Sequence, residues 1–187
     1  MTAYSDDELL KMYREGSNRH YAFNLIVEQY QERLYWHIRK IVISHDDTDD
    51  VLQNTLVKVW NGLESFRSDS QLYTWLYRIA TNEALTFLSQ KKRRFMLPLV
   101  NVERQLMNSL EEDPYFSGNK LQKQLQKAVL TLPEKQRIVF NMKYFDDMKY
   151  EEMSEILDTS VGALKASYHH AVKKIEQYFA DECGEQP

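Results

Sequence analysis

The chain has 187 residues, a formal charge of −4, 43% hydrophobic residues and a single cysteine. That length holds one large domain or two small ones. Lone Cys183 excludes disulfides and cysteine-rich metal sites, and no apolar run approaches the length that spans a bilayer. The N-terminus, MTAYSDDELLKMYREG, lacks the basic-then-apolar order of a secretion signal, so cytoplasmic residence is the expectation.

Charge is distributed unevenly. Residues 1–95 carry 13 basic and 13 acidic side chains, residues 96–119 one Arg against four acids, and residues 120–187 ten basic and eleven acidic groups. Phosphate neutralisation supplies most non-specific DNA affinity. Any nucleic-acid contact must therefore come from local patches, with a larger partner supplying the rest.

Five glycines, four prolines and few alternating β-branched runs predict an all-α architecture. Asp6, Asp7 and Glu8 start a first helix through Leu9, Leu10 and Tyr13. A second carries Phe23, Ile26, Val27, Tyr30, Leu34, Ile38 and Ile41 at steps mostly of three and four. A third opens after Asp46, Asp47, Thr48, Asp49 and Asp50 and is predicted to bury Leu52, Leu56, Val59 and Leu63. Acids at a helix start complement its dipole and cap free amides. A calcium loop from Asp46 fails, because Val51 stands at the turn glycine and Val57 at the closing bidentate acid.

Between Phe66 and Arg94 the chain reads FRSDSQLYTWLYRIATNEALTFLSQKKRR. Leu72, Leu76, Ile79, Ala80 and Phe87 form one predicted buried stripe, which does not require Tyr73, Trp75 or Tyr77. Gln71, Thr74, Arg78 and Asn82 line up on a polar face, and Lys91, Lys92, Arg93 and Arg94 close the segment. Rings stack on unpaired bases, amides read base edges and cations hold phosphates, so the pattern suits a single strand. An amphipathic core helix whose basic end offsets its own dipole has the same composition. The segment alone does not separate the two.

From Phe95 to Asn119 helical periodicity dissolves among Pro98, Pro114, Gly118 and the acids Glu111, Glu112 and Asp113, which reads as a flexible acidic linker. Helical pattern resumes near Lys120, with Leu121, Leu125 and Val129 on one face, and Leu132-Pro133 announces the next start. Ile138, Val139, Met142 and Phe145 form an apolar face, followed by an Asp146-Asp147-Met148 break. A short helix, Tyr150 to Leu157, then a turn at Asp158-Thr159-Ser160, then a long helix from Val161 give the pattern of a helix-turn-helix. Its second helix can enter the DNA major groove. The outward residues are Ala163, Lys165, Ala166, Ser167, His169, His170 and Lys173, with Ser160 as N-cap. Lys165 reaches a guanine edge or a phosphate, and Ala166 meets a thymine methyl. Asp158 stands where the turn goes left-handed, a conformation Asp tolerates better than most residues. His169 and His170 have neither Cys nor carboxylates at ligand spacing, so no metal is expected.

Together these pieces resemble a bacterial sigma factor of the sigma-70 class, in its short extracytoplasmic-function group. The match is strongest at Phe66-Arg67, Asp69-Ser70, Tyr73 to Ala80 and Asn82, followed by the Lys/Arg cluster. The resemblance implies two helical domains, a promoter-melting domain at 1–95 and a helix-turn-helix domain at 120–180, joined by a linker at 96–119 and followed by a polar tail at 181–187. It implies that Phe66, Arg67, Ser68, Asp69 and Ser70 form the loop that captures a base flipped from the −10 element, with Asn82 beneath it. Tyr73, Thr74, Trp75, Arg78 and Lys91 to Arg94 would serve the same strand.

The resemblance further implies core RNA polymerase as partner, through the β′ clamp helices and the β flap. Asp50 and Gln53 fall on the family's Asp-x-x-Gln clamp-binding pattern, flanked by Asp49, Asn54 and Leu56. Asn54 replaces the usual acid and Leu56 the usual Phe, which implies weaker charge pairing. In the recognition helix Ser160, Gly162 and Lys165 agree with the family, whereas Ser167 and His170 replace customary basic residues. That leaves fewer phosphate contacts to the −35 element, with Lys173 and Lys174 as substitutes. An anti-sigma protein, often membrane-anchored, is implied as inhibitory partner, and a monomer when free.

No nucleophile–base pair, phosphate-cradling glycine loop or cofactor motif is present in the sequence, so no enzyme activity or cofactor is expected. The competing reading is an autonomous helix-turn-helix regulator with an N-terminal sensing or dimerisation domain. It accounts for residues 120–180 and leaves the aromatic-basic segment unexplained.

Overall fold

Helix starts and stops follow local chemistry from the first residues. This computed structural model describes residues 4–16, 18–94, 99–112 and 120–184, which form nine α-helices and no strand among the described residues. Helix α1 (Asp6–Glu15) opens on Ser5, whose hydroxyl accepts from the Glu8 amide while the Glu8 carboxylate accepts from Ser5 N. Such a reciprocal cap contributes about 1 kcal/mol. It ends at Gly16, where a Cβ would lie 2.2 Å from the Met12 carbonyl oxygen, so no other residue fits without displacement. Helix α2 (Arg19–Val42) is capped by Asn18 and stops at Ile43, which takes φ 66°. A β-branched residue there is strained, and complete burial of the Ile43 side chain offsets the cost.

Helix α3 (His45–Leu63) begins before the acidic run, not after it, because Ser44 is the N-cap. The acids therefore occupy the first two turns. Its buried face is Thr48, Val51, Thr55, Val59 and Leu63, with Leu52 and Leu56 only half-buried. The stripe is shifted from the expected one because Thr48 and Thr55 donate their hydroxyls to the Ser44 and Val51 carbonyls, which lets two polar residues sit inside. Helix α4 (Leu72–Arg94) crosses α2 and α3.

Residues 95–98 and 113–119, with Pro98, Pro114 and Gly118, lie outside the described residues, as do 185–187 at the end of the tail. Between the first two gaps runs helix α5 (Leu99–Glu112), where a flexible linker was expected. Leu106 and Leu110, one turn apart, are buried, and Lys127 holds Glu111 at 2.8 Å. Among the described side chains of this helix, these two apolar anchors and the ion pair to Lys127 hold it in place.

Helix α6 (Lys120–Leu130) buries Gln126, Ala128, Val129 and Leu130 and leaves Leu121 exposed, so only Val129 of the expected face is fully inside. Helices α7 (Glu134–Tyr144), α8 (Tyr150–Leu157) and α9 (Val161–Gly184) follow, α9 running past the expected boundary at 180. A small core of Val129, Leu132, Phe140, Ala171 and Ile175 joins α6, α7 and α9. The larger core begins in α1–α4 and continues into Met142, Met148, Met153 and Ile156 of the C-terminal half. Helix α8 packs on α4, and α7 touches α2. The two halves are thus closed on each other through a shared apolar seam.

Candidate nucleic-acid interface

Helix α4 presents the first candidate surface. Gln71, Arg78 and Asn82 are exposed in one row, whereas Thr74, expected on that row, is 1% exposed. Tyr77, which the predicted stripe did not need, is a core residue at 2%. Its ring lies 4.7 Å from His37 and 4.4 Å from Tyr73, and burial drives its hydroxyl pKa far up. Tyr73 is half-buried, with the Arg33 guanidinium 4.8 Å over its ring. Burial raises its pKa as well. Trp75 is half-buried and approaches α3 so closely that a Cβ at Gly62 would sit 3.0 Å from its ring.

The loop before α4 is held from within by Phe66. That side chain is 7% exposed and packs on Trp75 at 4.9 Å, so it anchors the loop and is not open to a strand. Phe66 and Thr74, both expected as strand contacts, are covered by packing in this closed arrangement. Arg67, Ser68 and Asp69 are exposed, Ser70 is half-buried, and Ser68 takes φ 59°. A cleft of about 480 Å³ separates Ser68–Leu72 from Ser5, Asp6, Asp7 and Leu10, with Glu155 at its rim.

The basic end of α4 is less free than its sequence suggests. Lys91 pairs with Asp47 at 2.6 Å, and Lys92 with Glu134 of α7 at 3.2 Å. Arg93 and Arg94 remain exposed. The C-terminal half also engages Arg78, whose guanidinium donates to the Glu155 carbonyl at the end of α8. Behind it, Asp146 accepts from His37 and Lys40, and Asn141 Nδ2 donates to the Lys40 carbonyl at 3.2 Å. Burial works to raise the Asp146 pKa, but the hydrogen bonds and charges of His37 and Lys40 prevail and hold it below its ordinary value.

On α3, Asp50, Gln53 and Asn54 are exposed on one face, Asp49 and Leu56 are half-buried, and Asp49 lies 3.7 Å from His45. Val57 continues that face at 59% exposure. Sequence reading passed over it, yet an apolar residue one turn beyond Gln53 and Asn54, off the buried stripe, was a usable signal. His37, Lys40 and Asp146 were also missed. Their positions lie 109 and 106 residues apart, and no local motif reports such pairs.

The helix-turn-helix closes as expected. Asp158 is left-handed at φ 48°, ψ 48°, and Ser160 Oγ accepts from the Ala163 amide at 3.3 Å. Ala163, Lys165, Ala166, His169, His170 and Lys173 are exposed, and Ser167 is half-buried. Lys165 Nζ rests 5.6 Å over the Tyr150 ring, which carries the ammonium at the outer edge of α9.

Comparison with known proteins agrees with this geometry. The sequence pattern of Sigma-70 region 2 matches residues 26–94, and that of Sigma-70, region 4 matches residues 122–175. The ECF RNA polymerase sigma-E factors of Salmonella typhimurium and Escherichia coli are 31% identical over 187 residues, spanning 92% of this chain and 93% of theirs. That of Haemophilus influenzae is 29% identical over 180 residues, covering 92% and 94%. Among solved structures, CnrH bound to the cytosolic domain of CnrY superposes with TM-score 0.68 at 22% identity, covering 94% of this chain and 97% of that one. The sigma factor RpoE with the anti-sigma factor NepR from Bartonella quintana gives TM-score 0.66 at 20% identity, covering 84% and 96%. The chain belongs to the extracytoplasmic-function group of the sigma-70 family of RNA polymerase sigma factors.

Proposed function

We propose that this sigma factor binds core RNA polymerase through the α3 face of Asp50, Gln53, Asn54 and Val57 against the β′ clamp helices, with the helix-turn-helix half engaging the β flap. Residues 1–95 melt and hold the −10 element, residues 120–180 read the −35 element, and residues 96–119 connect them. The loop at Arg67–Ser70 and the row Gln71, Arg78 and Asn82 hold the non-template strand, and Lys165, Ala166, His169 and Lys173 face duplex DNA. The observation that carries this reading is the pairing, in one chain, of an exposed polar row on α4 with a capped recognition helix.

Extruding a base costs a few kcal/mol, and a chain of net charge −4 has little phosphate affinity of its own. The polymerase complex must supply the difference. The chain performs no covalent chemistry, resides in the cytoplasm and is monomeric when free. Because Arg78 and Lys92 are engaged by the C-terminal half, the two halves separate before a strand reaches α4. One of the similar solved structures is a sigma factor held by an anti-sigma factor, and by extension an anti-sigma protein restrains this chain too.

Purified chain mixed with core polymerase and a promoter template tests the proposal. Initiation that requires the chain supports it. Tight operator binding without polymerase, and no chain-dependent start, would replace it with an autonomous regulator.

A further inference from the structure

The loop between α3 and α4 is fastened at its first residues and lightly held beyond them. Ser65 N and Oγ donate to the Gly62 carbonyl, and Phe66 N to that of Leu63. After Phe66 the chain turns through Ser68 at φ 59°, a conformation that costs a non-glycine residue energy and persists only when neighbours impose it. Among the described residues, one side chain from another helix forms hydrogen bonds to this turn. Arg14, in the last turn of α1, donates from Nη2 to the Phe66 carbonyl at 2.5 Å and to Ser68 Oγ at 3.3 Å.

Those two acceptors, the backbone carbonyl before Arg67 and the side-chain hydroxyl after it, bracket Arg67, so a single guanidinium ties down the turn on both sides of it. A guanidinium suits the task because its planar, permanently charged donors lose little freedom on bonding. Arg14 itself has a firm base. Leu9, Leu10 and Tyr13 of α1 are buried against α2. The same helix supplies Asp6, Asp7 and Leu10 to the cleft opposite Ser68–Leu72.

We propose that Arg14 is a positioning residue that holds the Phe66–Ser68 turn in the shape that receives an extruded base. The inference rests on the reading that this loop captures the strand. Arg14 touches no base. It sets the direction in which Arg67 and Asp69 leave the loop.

The test uses holoenzyme assembled from the full chain and promoter DNA carrying 2-aminopurine at non-template positions of the −10 element. R14A should shorten the lifetime of the captured strand roughly tenfold, the scale of one charge-assisted hydrogen bond. R14K keeps one donor and should recover part of that loss. R19A removes the same charge from a neighbouring site, where Arg19 pairs with Glu64 at 3.2 Å, and should leave the lifetime unchanged. Co-elution with core polymerase should not change for any of these.

Wild-type lifetimes for R14A beside impaired capture in D69A would overturn the role of Arg14 alone. Wild-type lifetimes in both variants would overturn the loop reading beneath it. Loss in R14A that R14K does not restore, matched by a lower melting temperature, would reduce Arg14 to a structural contact and overturn the proposal as well.

Discussion

His37 of α2 meets Asp146 of the α7–α8 turn across the seam, its Nδ1 3.0 Å from the carboxylate. The other ring nitrogen lies 2.9 Å from Thr81 Oγ1, whose own proton is committed to the Tyr77 carbonyl at 2.7 Å. A carboxylate only accepts, so Nδ1 is the donor of that contact. Lys40 donates to the same carboxylate. A turn that reads in the sequence as a polar break is the buried clasp between the two halves.

Asp146→Asn should loosen that clasp. The side chain is 9% exposed, and breaking a buried pair from one side costs about 3 kcal/mol or more. A lower urea midpoint, with earlier separation of fluorophores placed on the two halves, is the expected result.

The same carboxylate sets an acid limit on closure. Its folded pKa is depressed, so its contribution is complete above the unfolded value and disappears as pH falls through the folded one. The stability gap between wild type and Asp146→Asn should therefore narrow in strong acid and hold steady near neutrality. Urea titrations at a series of pH values measure it, and a gap that widened on acidification would contradict the assignment.

On α3, the face proposed to meet polymerase, the exposed Val57 makes a sharper test than the polar residues around it. Val57→Asp should leave folding intact, because the side chain is 59% exposed, yet weaken core binding about tenfold, as expected for a charge forced into an apolar contact. Asp50→Ala with Gln53→Ala should weaken assembly in the same assay. Titration of labelled core enzyme reads both, and normal affinity in both would remove α3 from the interface.

For strand capture, Asn82→Ala should slow open-complex formation with core binding unchanged, because Asn82 is exposed at the end of the polar row on α4. Permanganate footprinting of the melted strand checks this. Wild-type reactivity would count against the row as a strand-facing surface.

The helix types and the helix-turn-helix were legible because each rests on local signals: Ser5 and Ser160 cap, Asp158 turns, and apolar residues recur at threes and fours. Register was less legible wherever a polar residue could be satisfied internally. Thr48 and Thr55 go inside by bonding their own helix, while Leu121 comes out. Thr74 and Phe66 were expected on an open face from their place in a motif, and their burial against neighbouring side chains is set by packing that the motif does not report. The clasp at His37, Lys40 and Asp146 and the Arg14 contact join positions far apart in the chain, and periodicity carries no information about such pairs.

Lys165 offers the last test, on duplex DNA. Its ammonium sits over Tyr150 at the exposed edge of α9, close to the Ser160 cap that fixes the start of the helix. If it neutralises one phosphate, Lys165→Ala should weaken −35 binding and lower the salt slope by about one. A loss of affinity with the slope unchanged would point to base contact without charge neutralisation. No change in either would leave Lys165 as a solvated charge held by its aromatic neighbour. Measuring holoenzyme binding to a −35 duplex at several salt concentrations separates these outcomes, because counterion release enters the slope while a base contact shifts only the intercept.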